Sequence, residues 1–178
     1  MSDLASLSKI LGRCCILIII GLPALTVLAW LDFDTFGPDM AQNLGIGCKT
    51  PLPADLLPVQ TALGIGVMMV PTAAFVFGVW HLRRLFMGFS AGQDFTAENI
   101  KALRVFAWSV AAAIVLSILT GAVLSVVLTM NNPPGQRVLA VGVSSTQVLV
   151  MFLGAVFAVI AHMMEAGRAI AIENAEIL

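Results

Sequence analysis

Four long stretches without a charged residue divide this chain, and they constrain its fold more than any other feature. The stretches lie between pairs of charged residues: Cys14–Leu31, Leu56–Trp80, Val105–Met130 and Val138–Met164. An α-helix rises about 1.5 Å per residue, so about 20 apolar residues cross the hydrocarbon layer of a bilayer. Each stretch is therefore long enough to span a membrane.

The length of these stretches also decides the type of spanning structure. Only α-helices and closed β-barrels pair every backbone polar group inside a bilayer, and a barrel strand needs only about 9–11 residues. We therefore predict an all-α polytopic membrane protein, a four-helix transmembrane bundle in a single domain, 1–178. The predicted spans are about 14–31, 56–80, 105–130 and 140–164, with an outer loop at 32–55, an inner loop at 81–104 and a tail at 165–178.

Positive charge is concentrated on one side of this topology. The basic residues near that side are Lys9, Arg13, Arg83, Arg84, Lys101, Arg104 and Arg168, whereas Lys49 and Arg137 flank the other side. Loops on the cytoplasmic side of a membrane carry an excess of Lys and Arg. We therefore predict that both termini lie in the cytoplasm.

The absence of charged residues from the predicted spans argues against some classes of function. The four predicted spans hold no Asp, Glu, Lys or Arg, although coupled transporters usually mark an ion path with such residues. His81 and His162 lie at span ends without an evident third metal ligand, so we expect snorkelling or capping roles, with metal binding or catalysis as the alternative. We predict no catalytic residue, metal or cofactor and therefore no enzyme. A net charge of −1 predicts no direct nucleic-acid binding.

Aromatic and small residues within the spans give packing predictions. Three tryptophans near span ends are predicted to lie at the membrane interfaces: Trp30, Trp80 and Trp108. Small residues four apart let helix backbones approach closely, and two such pairs stand out: Gly121/Ser125 and Gly154/Ala158.

The inner loop is predicted to be largely helical. Gly88 or Gly92 suits a left-handed cap that ends the second helix. Thr96 suits the N-cap of the next helix, with Glu98 in its first turn. An amide on the apolar face of that helix, Asn99, requires a hydrogen-bond partner. We expect that partner in the turn at 88–94 or in the segment at 165–168.

Two further contacts are predicted near the inner loop. Phe95 and Ile100 are expected to pack onto the cytoplasmic end of the bundle, because charged residues occupy the opposite helix face. After the last span, Glu165 and Arg168 are three residues apart and can form an ion pair across one helical turn.

The inner loop and the segment after the last span resemble the bacterial family catalogued as domain of unknown function 2975. Its members have a Phe-Thr/Ser-x-x-Asn-x-x-x-Leu-Arg/Lys element between spans two and three. The matching residues here are Phe95, Thr96, Asn99, Leu103 and Arg104. A second element, Gly-x-x-Leu after the last span, reads Gly167-Arg168-Ala169-Ile170 and follows Glu165. Ile replaces Leu there, and the chain ends in Glu-Ile-Leu where the family often ends in Thr-Ile or Thr-Val.

The resemblance implies a multi-pass protein of the bacterial cytoplasmic (inner) membrane without an established activity. Family members often sit beside helix-turn-helix regulators, which implies a regulatory or sensor partner of such a cytosolic protein. The helix at 95–104 and the tail at 165–178 would then bind the regulator. The alternatives are an oligomeric transporter or pore component and an immunity protein against a membrane-active toxin. The partners expected are the lipid bilayer, a cytosolic protein and further copies of the chain.

Cys48 tests the predicted topology, because it lies in the outer loop. An impermeant thiol reagent is expected to label Cys48 from outside intact cells, and Cys48→Ser is the control that removes the signal. Labelling that requires permeabilised cells would reverse the predicted orientation.

Overall fold

The computed structural model describes residues 2–43, 56–91, 96–131, 133, 137 and 139–176. Those residues form five helices and no strand: α1 (Ser2–Leu31), α2 (Phe33–Asn43), α3 (Pro58–Ser90), α4 (Ala97–Thr129) and α5 (Ser145–Glu176). Four of them, α1, α3, α4 and α5, are long and apolar enough to cross a membrane. The predicted all-α class and the four spans are confirmed, and the chain is a multi-pass membrane protein.

The long helices pack chiefly as α1 on α3, α3 on α4 and α4 on α5. One apolar cluster connects all four through Cys15, Val79, Phe106 and Ala161. In the most apolar 18-residue stretch of each helix, 44% of the residues of α4 are buried, against 17% in α1 and in α5. The third span in the sequence is therefore the centre of the fold.

Close approach of α1 and α3 depends on a glycine. Trp30 is only 1% exposed, and a Cβ added at Gly64 would overlap its indole ring. Trp30 therefore packs between α1 and α3 instead of facing lipid, because Gly64 leaves the space into which the indole inserts. Trp80 and Trp108 are exposed, as interfacial residues should be.

The loop predicted at 32–55 contains a helix that the sequence reasoning missed. Residues Phe33–Asn43 form α2 directly after α1. Its first residue, Phe33, is buried and stacks on Trp30 with ring centroids 5.4 Å apart. The sequence analysis placed these residues in a loop between spans and did not predict a helix there, while Cys48 and Lys49 lie outside the described residues.

A seam with seven-residue spacing attaches α5 to the bundle. Gln147, Gly154 and Ala161 are buried at this spacing, and Val150, Phe157 and Met164 are partly buried between and after them. This is the alternation of a coiled-coil seam. Gly154 faces Val110 of α4, where an added Cβ would lie 3.2 Å from a methyl carbon.

The predicted small-residue pairs have different outcomes. Of the pair predicted to let helices approach closely, Gly154 is buried against α4 whereas Ala158 is exposed. Gly121 and Ser125 are both buried, as predicted for close packing. The Ser125 hydroxyl also accepts a 2.9 Å hydrogen bond from the backbone N–H of Ala140, which ties the segment before α5 to α4.

Two buried glutamines fasten the starts of α3 and α5 to α4. Gln60 accepts a hydrogen bond from the Leu57 N–H at 3.0 Å and donates to the Val127 carbonyl at 2.9 Å. Gln147 accepts from the Ser144 N–H at 2.9 Å and donates to the Ser117 hydroxyl at 2.8 Å. Each amide thus caps its own helix with the oxygen and reaches α4 with the nitrogen.

Gly64→Ala tests the close approach of α1 and α3. The added methyl must displace the buried Trp30 ring, and overpacking of this kind costs about 1–3 kcal/mol. We expect a lower thermal unfolding midpoint in detergent. Gly66→Ala is the matched control, since a Cβ there has no neighbouring atom within 4 Å. Equal midpoints for the two variants would contradict the role assigned to Gly64.

Candidate binding site at the basic end

One end of the bundle, here called the basic end, carries most of the positive charge. There α1 begins, α3 ends, α4 begins and α5 ends. Its basic residues are Lys9, Arg13, Arg83, Arg84, Lys101, Arg104 and Arg168. Every residue that the family resemblance singles out also lies at this end, except Phe95, which is outside the described residues.

The end of α3 differs from the prediction, whereas the start of α4 agrees with it. Helix α3 continues through Gly88 to Ser90, and its C-cap residue is Ala91 with φ −93°. Gly88 is therefore not a left-handed cap, and Gly92 lies outside the described residues. Thr96 is the N-cap of α4, as predicted, and its hydroxyl accepts from the Asn99 N–H at 3.3 Å.

Gly88 instead makes room for Asn99. A Cβ at Gly88 would lie 2.7 Å from the Asn99 Nδ2 atom, so only glycine allows this approach. Asn99 is buried, and its amide lies against the end of α3, which is the first of the two predicted positions. This contact fixes the beginning of α4 to the end of α3.

Ile100 and Leu103 are buried in the interior of the basic end. The predicted packing of Ile100 is confirmed. Leu103 belongs to the apolar cluster with Val79 and Phe106. Thr96, Asn99 and Leu103 therefore shape the start of α4 and offer little surface to a partner.

Arg104 and Glu165 join the two family-like segments. The Arg104 guanidinium donates to the Glu165 carboxylate, and the two side chains are 46% and 52% exposed. The predicted pair between Glu165 and Arg168 is wrong, because Glu165 turns to α4 instead. The two partners are 61 positions apart in the chain, so no local spacing pointed to them.

A groove of about 640 Å³ opens between α4 and α5 beside this ion pair. We call it the α4–α5 groove. Its apolar lining comes from Phe77, Ile100, Val105, Trp108 and Ala112, and its charged lining from Lys101, Arg104, Glu165 and Arg168. Trp108 is 71% exposed. The groove combines an apolar wall with three cations and one carboxylate.

Sequence reasoning found only part of this groove. Arg104, Glu165 and Arg168 came from the family resemblance and do line it, whereas Gly167 is exposed and a Cβ there would meet no atom within 4 Å. Lys101 and Trp108 were missed as site residues. Their signal was the helical spacing of residues 101, 104, 105, 108 and 112, which share one face of α4.

The two histidines lie on α3 and α5. His81 Nδ1 lies 2.9 Å from the Phe77 carbonyl oxygen, and the His81 ring contacts the Phe77 ring. His162 is exposed on α5. In the part of the chain that the structure describes, no three His, Cys, Asp or Glu side chains gather as a metal site would require.

The family comparison covers both segments that meet at the groove. The profile described as "Protein of unknown function (DUF2975)" matches residues 21–177, which is nearly the whole chain. The chain belongs to this family. No curated protein and no solved structure matches it. The resemblance read from the two motif segments is thereby confirmed for DUF2975.

Asn99→Leu tests the connection between α3 and α4 in this DUF2975 protein. The substitution removes a buried amide that packs against the end of α3, and the loss of a buried polar group with its hydrogen bonds costs about 1–3 kcal/mol. We expect faster amide hydrogen exchange at 82–91 and 96–104, with the four spans still inserted. Glu98→Gln, which alters the exposed neighbour, is the control. Unchanged exchange in the Asn99 variant would show that the amide does not tie the two helices together.

Proposed function

We propose that this protein is a non-enzymatic regulatory membrane protein that binds a cytosolic regulator in the α4–α5 groove. The basic end then faces the cytoplasm, in agreement with the excess of Lys and Arg there. The observation that carries the proposal is the convergence of both family-like segments on one groove, where Arg104 and Glu165 pair across it.

The lining of the groove favours one kind of occupant. An apolar wall with charged residues above it suits an amphipathic helix, which lays its apolar side into a hydrophobic groove. Three cations against one carboxylate leave two positive charges for a partner, so the helix should carry acidic residues. The helix-turn-helix regulators implied by the family resemblance are the class of protein that we propose supplies it.

The Arg104–Glu165 pair suits reversible binding. Both side chains are about half exposed, and surface ion pairs of this kind contribute only about 0–1 kcal/mol. An acidic residue of the regulator can therefore replace Glu165 as the partner of Arg104 at little cost. Release of the regulator requires that two arrangements of α4 and α5 bind it with different affinities.

Charge reversal tests the groove as a binding site. Lys101→Glu together with Arg168→Glu turns the net charge of the lining negative, so capture of the regulator from native membranes should fall at least about tenfold, equivalent to about 1.4 kcal/mol. Arg84→Glu is the matched control, because Arg84 is exposed at the same end but does not line the groove.

Site-specific photocrosslinking locates the contact. A photoreactive residue at position 108, inside the groove, should trap the regulator, whereas one at position 84 should not. Equal trapping at both positions, or equal loss of capture in the Arg84 control, would contradict the proposal. Solute flux through liposomes that contain the purified protein would instead favour a pore.

A further inference from the structure

A second group of cations lies on the other side of the basic end, between α1 and α3. Lys9 and Arg13 are one helical turn apart on α1, and Arg83 faces them from α3. Together with Ser8, Ile16 and Ser90 they line a cleft of about 240 Å³. This α1–α3 cleft shares no residue with the α4–α5 groove.

Among the residues that the structure describes, no carboxylate lines this cleft to balance its charge. Helix α3 contains no Asp or Glu over Pro58–Ser90, and α1 contains only Asp3, about three helical turns before Arg13. The ion pair among the described side chains, Arg104–Glu165, lies at the other groove. Like charges close to an apolar surface repel one another more strongly than in water. A bound anion would relieve that repulsion.

The cleft lies where a membrane-spanning protein meets lipid headgroups. Arg13 immediately precedes the uncharged stretch of α1, and Arg83 follows the uncharged stretch of α3. The Arg83 guanidinium lies 5.8 Å from the centroid of the exposed Trp80 ring, and tryptophan is typical of this depth in the bilayer. The charges thus stand at the boundary between water and hydrocarbon.

An apolar strip continues from the cleft along α1. Ile16 lines the cleft one helical turn below Gly12, and Ile20 follows one turn further on the same face. Ile16 and Ile20 are 38% and 67% exposed. The strip provides a surface for acyl chains directly beneath a site for an anion.

We propose that the α1–α3 cleft binds the phosphate of an anionic phospholipid, whose acyl chains lie along the Ile16–Ile20 face of α1. Arg13 and Arg83 donate hydrogen bonds to the phosphate oxygens, with Lys9 adding charge. Basic pockets between membrane helices on the cytoplasmic side are suited to such headgroups. In the cleft, the positive charges and hydrogen-bond donors come from α1 and α3, two helices that are packed together.

Native mass spectrometry of the purified full-length protein tests this site. With phosphatidylglycerol in the detergent micelle, we expect one tightly retained lipid per chain. Arg13→Gln and Arg83→Gln should each weaken retention about tenfold, since each removes a charge-assisted hydrogen bond. Arg84→Gln makes the same charge change at the next position of α3 and should retain the lipid.

Three outcomes would overturn the proposal. Equal loss in Arg84→Gln would show a diffuse attraction to positive charge. Equal retention of zwitterionic phosphatidylcholine would show that the anionic headgroup is not recognised. Displacement by an excess of inorganic phosphate would assign the cleft to a soluble anion. Helical circular dichroism equal to that of the unsubstituted protein excludes misfolding as the cause of weaker retention. The Arg13 variant tests the α1 side of the cleft, and the Arg83 variant tests the α3 side.

Discussion

The structure depends on how closely α3 approaches its neighbours. Inside a bilayer, apolar side chains gain little by leaving lipid for protein, so helices associate through close packing and hydrogen bonds. Three glycines of α3 provide that packing: Gly64 receives Trp30, Gly78 receives Ser109 and Gly88 receives Asn99. Hydrogen bonds from Gln60 and Gln147 to α4 add the polar contacts. Both binding sites proposed for the basic end are built on this framework.

The two sites differ in the way that their positive charge is balanced. In the α4–α5 groove, Glu165 offsets part of the charge through its pair with Arg104. In the α1–α3 cleft, no carboxylate of the described part of the chain lines the cavity. A groove with an internal counter-charge suits an occupant that exchanges, whereas a cleft without one suits an anion that stays. The protein would therefore keep a lipid on one side and a regulator on the other.

The sequence predicted what local chemistry determines. Uncharged stretches located the four spans, and hydroxyl and apolar spacing located the Thr96 cap and the buried Ile100. It failed where the partner is distant in the chain: Trp30 is buried because of Gly64, and Arg104 pairs with a residue of α5. It also missed the seam of α5, because lipid-facing and buried residues of a membrane helix are both apolar. Hydrophobic periodicity therefore does not distinguish the two faces of α5. Only Gln147 and Gly154, which are not large apolar residues, mark its inner face.

The contacts of α5 with the bundle differ between its two ends. Its start is held by the buried Gln147, whereas the part near the basic end is held by Ala161 and Met164 of the seam and by the half-exposed Glu165. The 18 residue steps from Gln147 to Glu165 span roughly 27 Å, so a tilt of about 10° around Gln147 moves Glu165 by roughly 5 Å. Such a displacement separates Glu165 from Arg104 and widens the groove while the far end stays in place. A small tilt of α5 away from α4 would thus open the groove at the membrane surface.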